Sequence, residues 1–264
     1  MMWGMLYFKP CKITWRVWKV WRRNKDAFMK TYITNFIPPF LEPVLYLLAL
    51  GFGLGIYIQK IDGVPYAAYI APSLIAISMM YSGFFECTYG SYVRMYYQKT
   101  FDAIIATPVS LDEVIAGEIL WGATKSAINA SIMLIVITLF GLAAWPQSLL
   151  VIPLAFLAGL MFASIAMCCT AVVPNIDSFN YPIFLLITPM FLFSGTFFPI
   201  SVLPRPIQLI SQIFLPLTHV VKVTRELTLG VVSWSTTPNL VWIAAACAIF
   251  PTLSVNLMKK RLIA

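Results

Sequence analysis

The segment "YYQKTFDAIIATPVSLDEVIAGE" (Tyr96 to Glu118) carries four of the ten acidic residues of the chain, yet long apolar runs flank it on both sides. Its first half places Tyr97, Phe101, Ile104 and Ile105 at helical spacing, with Gln98, Lys99 and Asp102 on other faces. That pattern predicts a short amphipathic helix over 98–106, stopped by Pro108. "SLDE" (Ser110 to Glu113) then forms a capping box, Ser110 offered to the free amides of a new helix and Glu113 reaching back. A rigid polar helix pair therefore joins two apolar segments. The acids Asp102, Asp112, Glu113 and Glu118 point it toward a basic or mixed protein surface rather than anionic lipid; the competing reading is a helix lying on the lipid surface.

The surroundings define the class. Of 264 residues 60% are hydrophobic and 11% charged, outside the range of a soluble domain of this length. A bilayer asks for roughly 20 apolar residues per helical span. Six stretches qualify, at about 32–58, 65–86, 118–140, 149–172, 181–198 and 239–257, with the loop 92–117 between the second and third. The fold class is all-α, an integral membrane protein, with an N-terminal segment (1–30) followed by one transmembrane domain (31–264). "GLAAWPQS" (Gly141 to Ser148) and "VVPNIDSFNYP" (Val172 to Pro182) are the breaks in an otherwise uncharged run from Lys125 to Asp177. Between the last two spans, 199–222 is apolar but cut by Pro199, Pro204, Pro206 and Pro216. Non-helical backbone at membrane depth must be enclosed by protein or face water, so a re-entrant pair of short helices fits better than a seventh, tilted span.

Orientation follows from Lys and Arg near span ends. Lys9, Lys12, Arg16, Lys19, Arg22, Arg23, Lys25 and Lys30 precede the first span, and Lys259, Lys260 and Arg261 follow the last, so both termini are expected in the cytoplasm. Lys60 and the segment from Arg205 to Arg225 then fall outside. These tails account for most of the net charge of +8, and no nucleic-acid partner is implied. Trp15, Trp18 and Trp21 recur every third residue among Lys and Arg, the pattern of an in-plane helix on membrane lipid. "MMWGMLYFKPCK" lacks the basic start and small-residue cleavage site of a signal peptide.

Sites of chemistry are not expected. The five cysteines match neither a zinc site nor a redox pair, the single His219 has no Cys or Asp near it in sequence to share a metal, and "GFGLGIY" (Gly51 to Tyr57) lacks the strand and lysine of a phosphate loop, which leaves helix packing. The chain is not expected to bind a metal or cofactor. Glu42, in "NFIPPFLEPVLYLLALG" (Asn35 to Gly51), is an acid at membrane depth: either a polar contact for cargo or a gate, or a structural acid bonded to backbone freed by Pro38, Pro39 and Pro43. Tyr32, Phe36, Phe40 and Tyr81 are candidate wall residues of a cargo path, with lipid-facing or packing roles as the alternative. Glu86 is expected at a solvated helix end.

"QKTFDAIIATPVSLDEVIAGEILWG" (Gln98 to Gly122), followed later by "FLFSGTFFPISVLP" (Phe191 to Pro204), resembles the ABC-2 type permeases, in the branch with nodulation-factor, drug and polysaccharide exporters. Nearly the whole chain fits that plan. The resemblance implies a non-enzymatic six-span permease subunit in the bacterial inner membrane, paired with a second copy as a homodimer and bound to two separate ATPase subunits that hold ATP and magnesium. It also implies that the helix between spans two and three, here Tyr97, Gln98, Lys99, Thr100, Phe101, Asp102, Ile104 and Ile105, docks on the ATPase, and that spans one and five wall the pore. The expected cargo is amphiphilic, lipid-linked or glycan-type, such as a lipo-oligosaccharide. An ion-coupled carrier, which calls for internal repeats and several buried polar groups, and a membrane scaffold, which needs no docking loop, are the alternatives.

Overall fold

The structure, a computed structural model, describes residues 13–31, 41, 44–58, 60–61 and 63–263. Glu42, Tyr32, Phe36 and Phe40 lie outside these, as does most of the first expected span. Its described part is the apolar helix α2 (Val44–Ile56), preceded in the chain by α1 (Val17–Lys30). A two-residue-per-strand hairpin, Lys60–Ile61 against Val64–Pro65, leads into α3 (Tyr66–Tyr97). Then come α4 (Thr100–Ile105), α5 (Leu111–Leu139), α6 (Gln147–Val172), α7 (Ile176–Phe193), α8 (Arg205–Phe214), α9 (Pro216–Leu229) and α10 (Thr236–Ile263).

Five of these helices, α3, α5, α6, α7 and α10, are long and apolar enough to cross a membrane. Helix α3 is apolar on every face, as a helix enclosed on all sides must be, and forms the centre of the bundle with α5 and α6 around it. Close approach is made possible by small residues: a Cβ on Gly159 of α6 would lie 2.5 Å from the Ser126 side chain of α5. Ser126 in turn donates to the Met79 carbonyl of α3 at 3.0 Å, so the three helices meet at one point. Of the glycines in "GFGLGIY", Gly51 packs against Ala67 of α3, whereas a Cβ on Gly55 would meet nothing.

Two boundaries depart from the expectation. Helix α3 does not stop at Glu86 but continues through wide, π-type turns to Tyr97, and α5 begins at Leu111 rather than near residue 118. Charge ends a helix at the membrane surface only when it must reach water, and Glu86, Arg94 and Glu118 neutralise one another instead. Span five lies at 176–193 rather than 181–198, with 194–199 a loop, and the last helix runs past both ends of 239–257.

Helices α8 and α9 meet at 85°, so the chain turns here rather than crossing as a straight seventh span. Pro216 opens α9 and forces Leu215 before it into an extended conformation (φ −94°, ψ 104°). With 10 and 14 residues, at 1.5 Å per residue, neither helix alone reaches across a hydrocarbon core of about 30 Å. Helix α8 leaves Leu209, Ile210, Ile213 and Phe214 exposed, while α9 is enclosed against α3, α6 and α10. Arg225 of α9 lies 3.9 Å over the Tyr69 ring and donates to Ser73 Oγ and the Gly195 carbonyl, both at 2.8 Å. His219 of α9 stacks on Trp242 and bonds Asn239 through Nδ1 at 2.8 Å.

Candidate functional site

The segment joining α3 to α5 folds as its sequence dictates at the capping box. Ser110 Oγ accepts from the Glu113 amide at 3.4 Å, and Glu113 Oε2 accepts from the Ser110 amide at 2.7 Å. Glu113 Oε1 also accepts from the amide of Thr14 at 3.2 Å and from its hydroxyl. Helix α4 is shorter than 98–106 because Lys99 adopts a left-handed conformation (φ 52°), which halts one helix before the next begins.

The amphipathic stripe divides. Phe101 is 1% exposed and sits in the hydrophobic core with Met95, Val114 and Ile115, so it anchors α4 and is not available to a partner. Ile104 is half-buried, and Thr100 accepts from Arg23 of α1 at 3.3 Å. Tyr97 (67% exposed), Gln98, Lys99, Asp102 and Ile105 form the outward face. Of the predicted docking residues, these five remain accessible.

The acids of the loop face inward, contrary to the expectation of an acidic docking surface. Asp112 is buried and pairs with Lys259 of α10 at 2.7 Å. Glu113 serves the capping box. Glu118, fully buried, accepts from Asn24 of α1 (2.8 Å), Ser91 (2.7 Å) and Arg94 (2.8 Å and 2.5 Å). Asp102 alone is exposed, 4.0 Å from Lys99. Glu86 is likewise no solvated end: it is buried between Arg94 and Lys125, each at 2.8 Å. Pairings 24 and 39 residues apart in sequence lie beyond any local pattern, which is why composition alone placed these charges on the surface.

Helix α1 holds the same region. Val17, Val20 and Phe28 are buried, and a Cβ on Gly117 of α5 would fall 2.6 Å from Val20, so α1 presses directly on α5. Trp15 and Trp18 are exposed as an in-plane helix requires. Trp21 turns inward, meeting Trp121 edge-on and donating to Thr124 at 2.9 Å. From the other side α10 contributes Arg261, which donates to the Tyr96 hydroxyl at 2.7 Å and to the carbonyls of Val173 (2.6 Å) and Thr170. Arg16 donates to the Pro108 carbonyl. The helix pair around α4 is thus clamped by both ends of the chain.

The model of the ABC-2 type transporter matches residues 12–229, more than four-fifths of the chain and all of this site up to α9. The chain belongs to the ABC-2 type transporter family. Within that family it is 36% identical over 252 residues to nodulation protein J of Sinorhizobium fredii (strain NBRC 101917 / NGR234), covering 94% of this chain and 95% of that one. Nodulation protein J of Rhizobium meliloti (strain 1021) is 37% identical over 216 residues, 82% of each chain. Inner membrane transport permease YadH of Escherichia coli (strain K12) is 22% identical over 186 residues, 70% of this chain and 72% of that protein. As an ABC-2 permease the chain is a multi-span transport subunit, and the site to explain is where its helices meet the rest of a transporter.

Tyr81 belongs to a continuous series of rings on the α3 face toward α7. Centroid distances are 5.5 Å from Tyr81 to Phe85, 6.0 Å to Tyr89, 5.1 Å on to Phe179, 5.5 Å to Tyr92 and 4.6 Å to Tyr96. Phe191 and Phe197 extend it beyond Tyr81, at 6.3 Å and then 5.0 Å. The face of α7 beside it exposes Tyr181, Phe184 and Leu185.

Proposed function

We propose that this chain is the permease half of an ATP-driven exporter, working as two copies with two ATPase subunits that bind ATP and magnesium. The observation that carries this reading is the outward tip of α4: Tyr97, Gln98, Lys99, Asp102 and Ile105 project from a base fixed by Phe101 and by the Arg94–Glu118 pair. A lever must be stiff at its root and accessible at its end. Closure of the ATPase dimer on ATP moves the tip, and because α4 is held by α1, α3 and α5, whose ends beside it are tied to α10, the displacement reaches the membrane helices. The permease contributes different affinities for cargo in two conformations, without which binding could not be coupled to the change.

The cargo is an amphiphile of the lipo-oligosaccharide or lipid-linked glycan class. The accessible rings of that series, Tyr81, Phe85, Tyr89, Phe191 and Phe197, support this, since aromatic faces offer apolar area to acyl chains and to sugar C–H groups. Similarity to nodulation protein J and to an inner membrane transport permease supports export across the bacterial inner membrane. Both termini lie in the cytoplasm in this arrangement, and the side carrying Lys60 and Arg205 lies outside.

The test is co-purification with an ATPase expressed from the neighbouring reading frame, using wild type, Tyr97→Asp and Ile105→Asp. Loss of the ATPase from both variants with an unchanged elution profile of the permease is expected. Retention of the ATPase by both would overturn the docking assignment.

A further inference from the structure

A cleft of about 420 Å³ opens between α1, the end of α3 and α5. Its walls carry Arg23, Glu86, Arg94 and Lys125 among the apolar surfaces of Phe28 and Trp121, and buried Glu118 lies directly behind Arg94. Three cations thus surround two carboxylates, which leaves one positive charge over. Arg94 and Lys125 are already paired with the acids. Arg23 is not: its two bonds go to the neutral groups Asn24 Oδ1 (3.0 Å) and Thr100 Oγ1 (3.3 Å), and it has no carboxylate partner among the described residues. Burial lowers its pKa, with Glu118 opposing that shift and Arg94 adding to it. A guanidinium presents five donors in a planar fork, so three remain to be met in a half-enclosed space whose walls are part polar and part apolar.

Depth identifies the ligand. The cleft opens beside α1, whose exposed Trp15 and Trp18 rings mark the headgroup level, at the end of the bundle where α3 and α5 leave the membrane. We infer that the cleft binds the phosphate of an anionic membrane phospholipid, Arg23 donating to the phosphate oxygens and Phe28 and Trp121 meeting the start of the acyl chains. Charge-assisted bonds from arginine to phosphate are the strong kind, and a bound headgroup balances the one positive charge that Arg23 adds beside the neutral Glu86–Arg94–Glu118–Lys125 cluster. The lipid bridges α1 and α3 beneath α4, and its binding requires neither cargo nor ATPase.

The experiment measures binding of radiolabelled phosphatidylglycerol to the purified full-length chain in phosphatidylcholine nanodiscs. Arg23→Gln is expected to weaken binding about tenfold, equivalent to 1.4 kcal/mol. Ala27→Trp, which fills the cleft from an exposed position of α1 without changing charge, is expected to do the same. Arg22→Gln, on the opposite face of α1, is expected to leave affinity within about twofold, as an exposed cation that contributes only diffuse surface attraction. Equal weakening by Arg22→Gln, no effect of Arg23→Gln and Ala27→Trp, or displacement of the lipid by inorganic phosphate or preference for a polyprenyl phosphate would each overturn the assignment.

Discussion

Glu118 has no access to solvent and holds Arg94, Ser91 and Asn24 at once, which makes it the most sensitive single residue in the cytoplasmic half of the site. Removing Glu118 leaves Arg94 to share Glu86 with Lys125, one buried positive charge uncompensated; loss of one member of a buried pair costs about 3–5 kcal/mol, whereas replacing both with apolar groups of similar volume is near neutral. Glu118→Gln should therefore lower the thermal midpoint of the purified chain sharply, and Glu118→Leu combined with Arg94→Leu should recover most of it. Additive losses in the double variant would show that the pair is not a unit. Phe101 offers a contrast with Tyr97, four residues earlier. Phe101→Ala opens a cavity worth about 3 kcal/mol in the core and should lower stability. Tyr97→Asp, on an exposed ring, should leave the melting curve in place while affecting only partner association. Calorimetry on both variants separates anchor from contact.

At the scale of elements, local rules were legible and long-range pairing was not. The capping box could be read from "SLDE" because its two bonds close within four residues, and a pair of short helices from the four prolines within 199–222, of which Pro216 marks the bend. The burial of Phe101 could not: periodicity defines a stripe but does not say whether the protein itself or a partner covers it, and α4 is too short for one apolar face to serve both. The inward turn of Asp112, Glu113 and Glu118 depends on cations and amides contributed by α1, α3 and α10, which no window around the loop contains. The same limit applies to Trp21, one of three equally spaced tryptophans, whose partner Trp121 is 100 residues away. Topology remains a matter for labelling. Cysteines placed at Lys60 and Arg205 should react with an impermeant thiol reagent in intact cells. Reaction only after permeabilisation would reverse the orientation proposed for α8 and the hairpin.

Among the described residues, the ion pairs gather at one end, where α1, α3, α4, α5 and α10 converge, while α7 and much of α10 keep outward apolar faces. The last turns of α10 matter to that end as much as α1 does. Truncation after Met258 removes Lys259 and Arg261, and with them the tie to Asp112 and the bonds to Tyr96 and Val173. Limited proteolysis should then cut between residues 98 and 110 at least several-fold faster than in the full chain, and an unchanged rate would show that α1 alone holds the loop.

Those ties also set an order of events during synthesis. Asp112 and Lys259 are 147 residues apart, so at about 5–20 residues per second the ribosome needs roughly 7–30 s to supply the second after the first. Through that interval the α4 segment has left the ribosome but lacks its clamp from α10. On the docking proposed for α4, a partner that recognises its fixed tip would engage permeases in which α10 has formed and pass over those in which it has not.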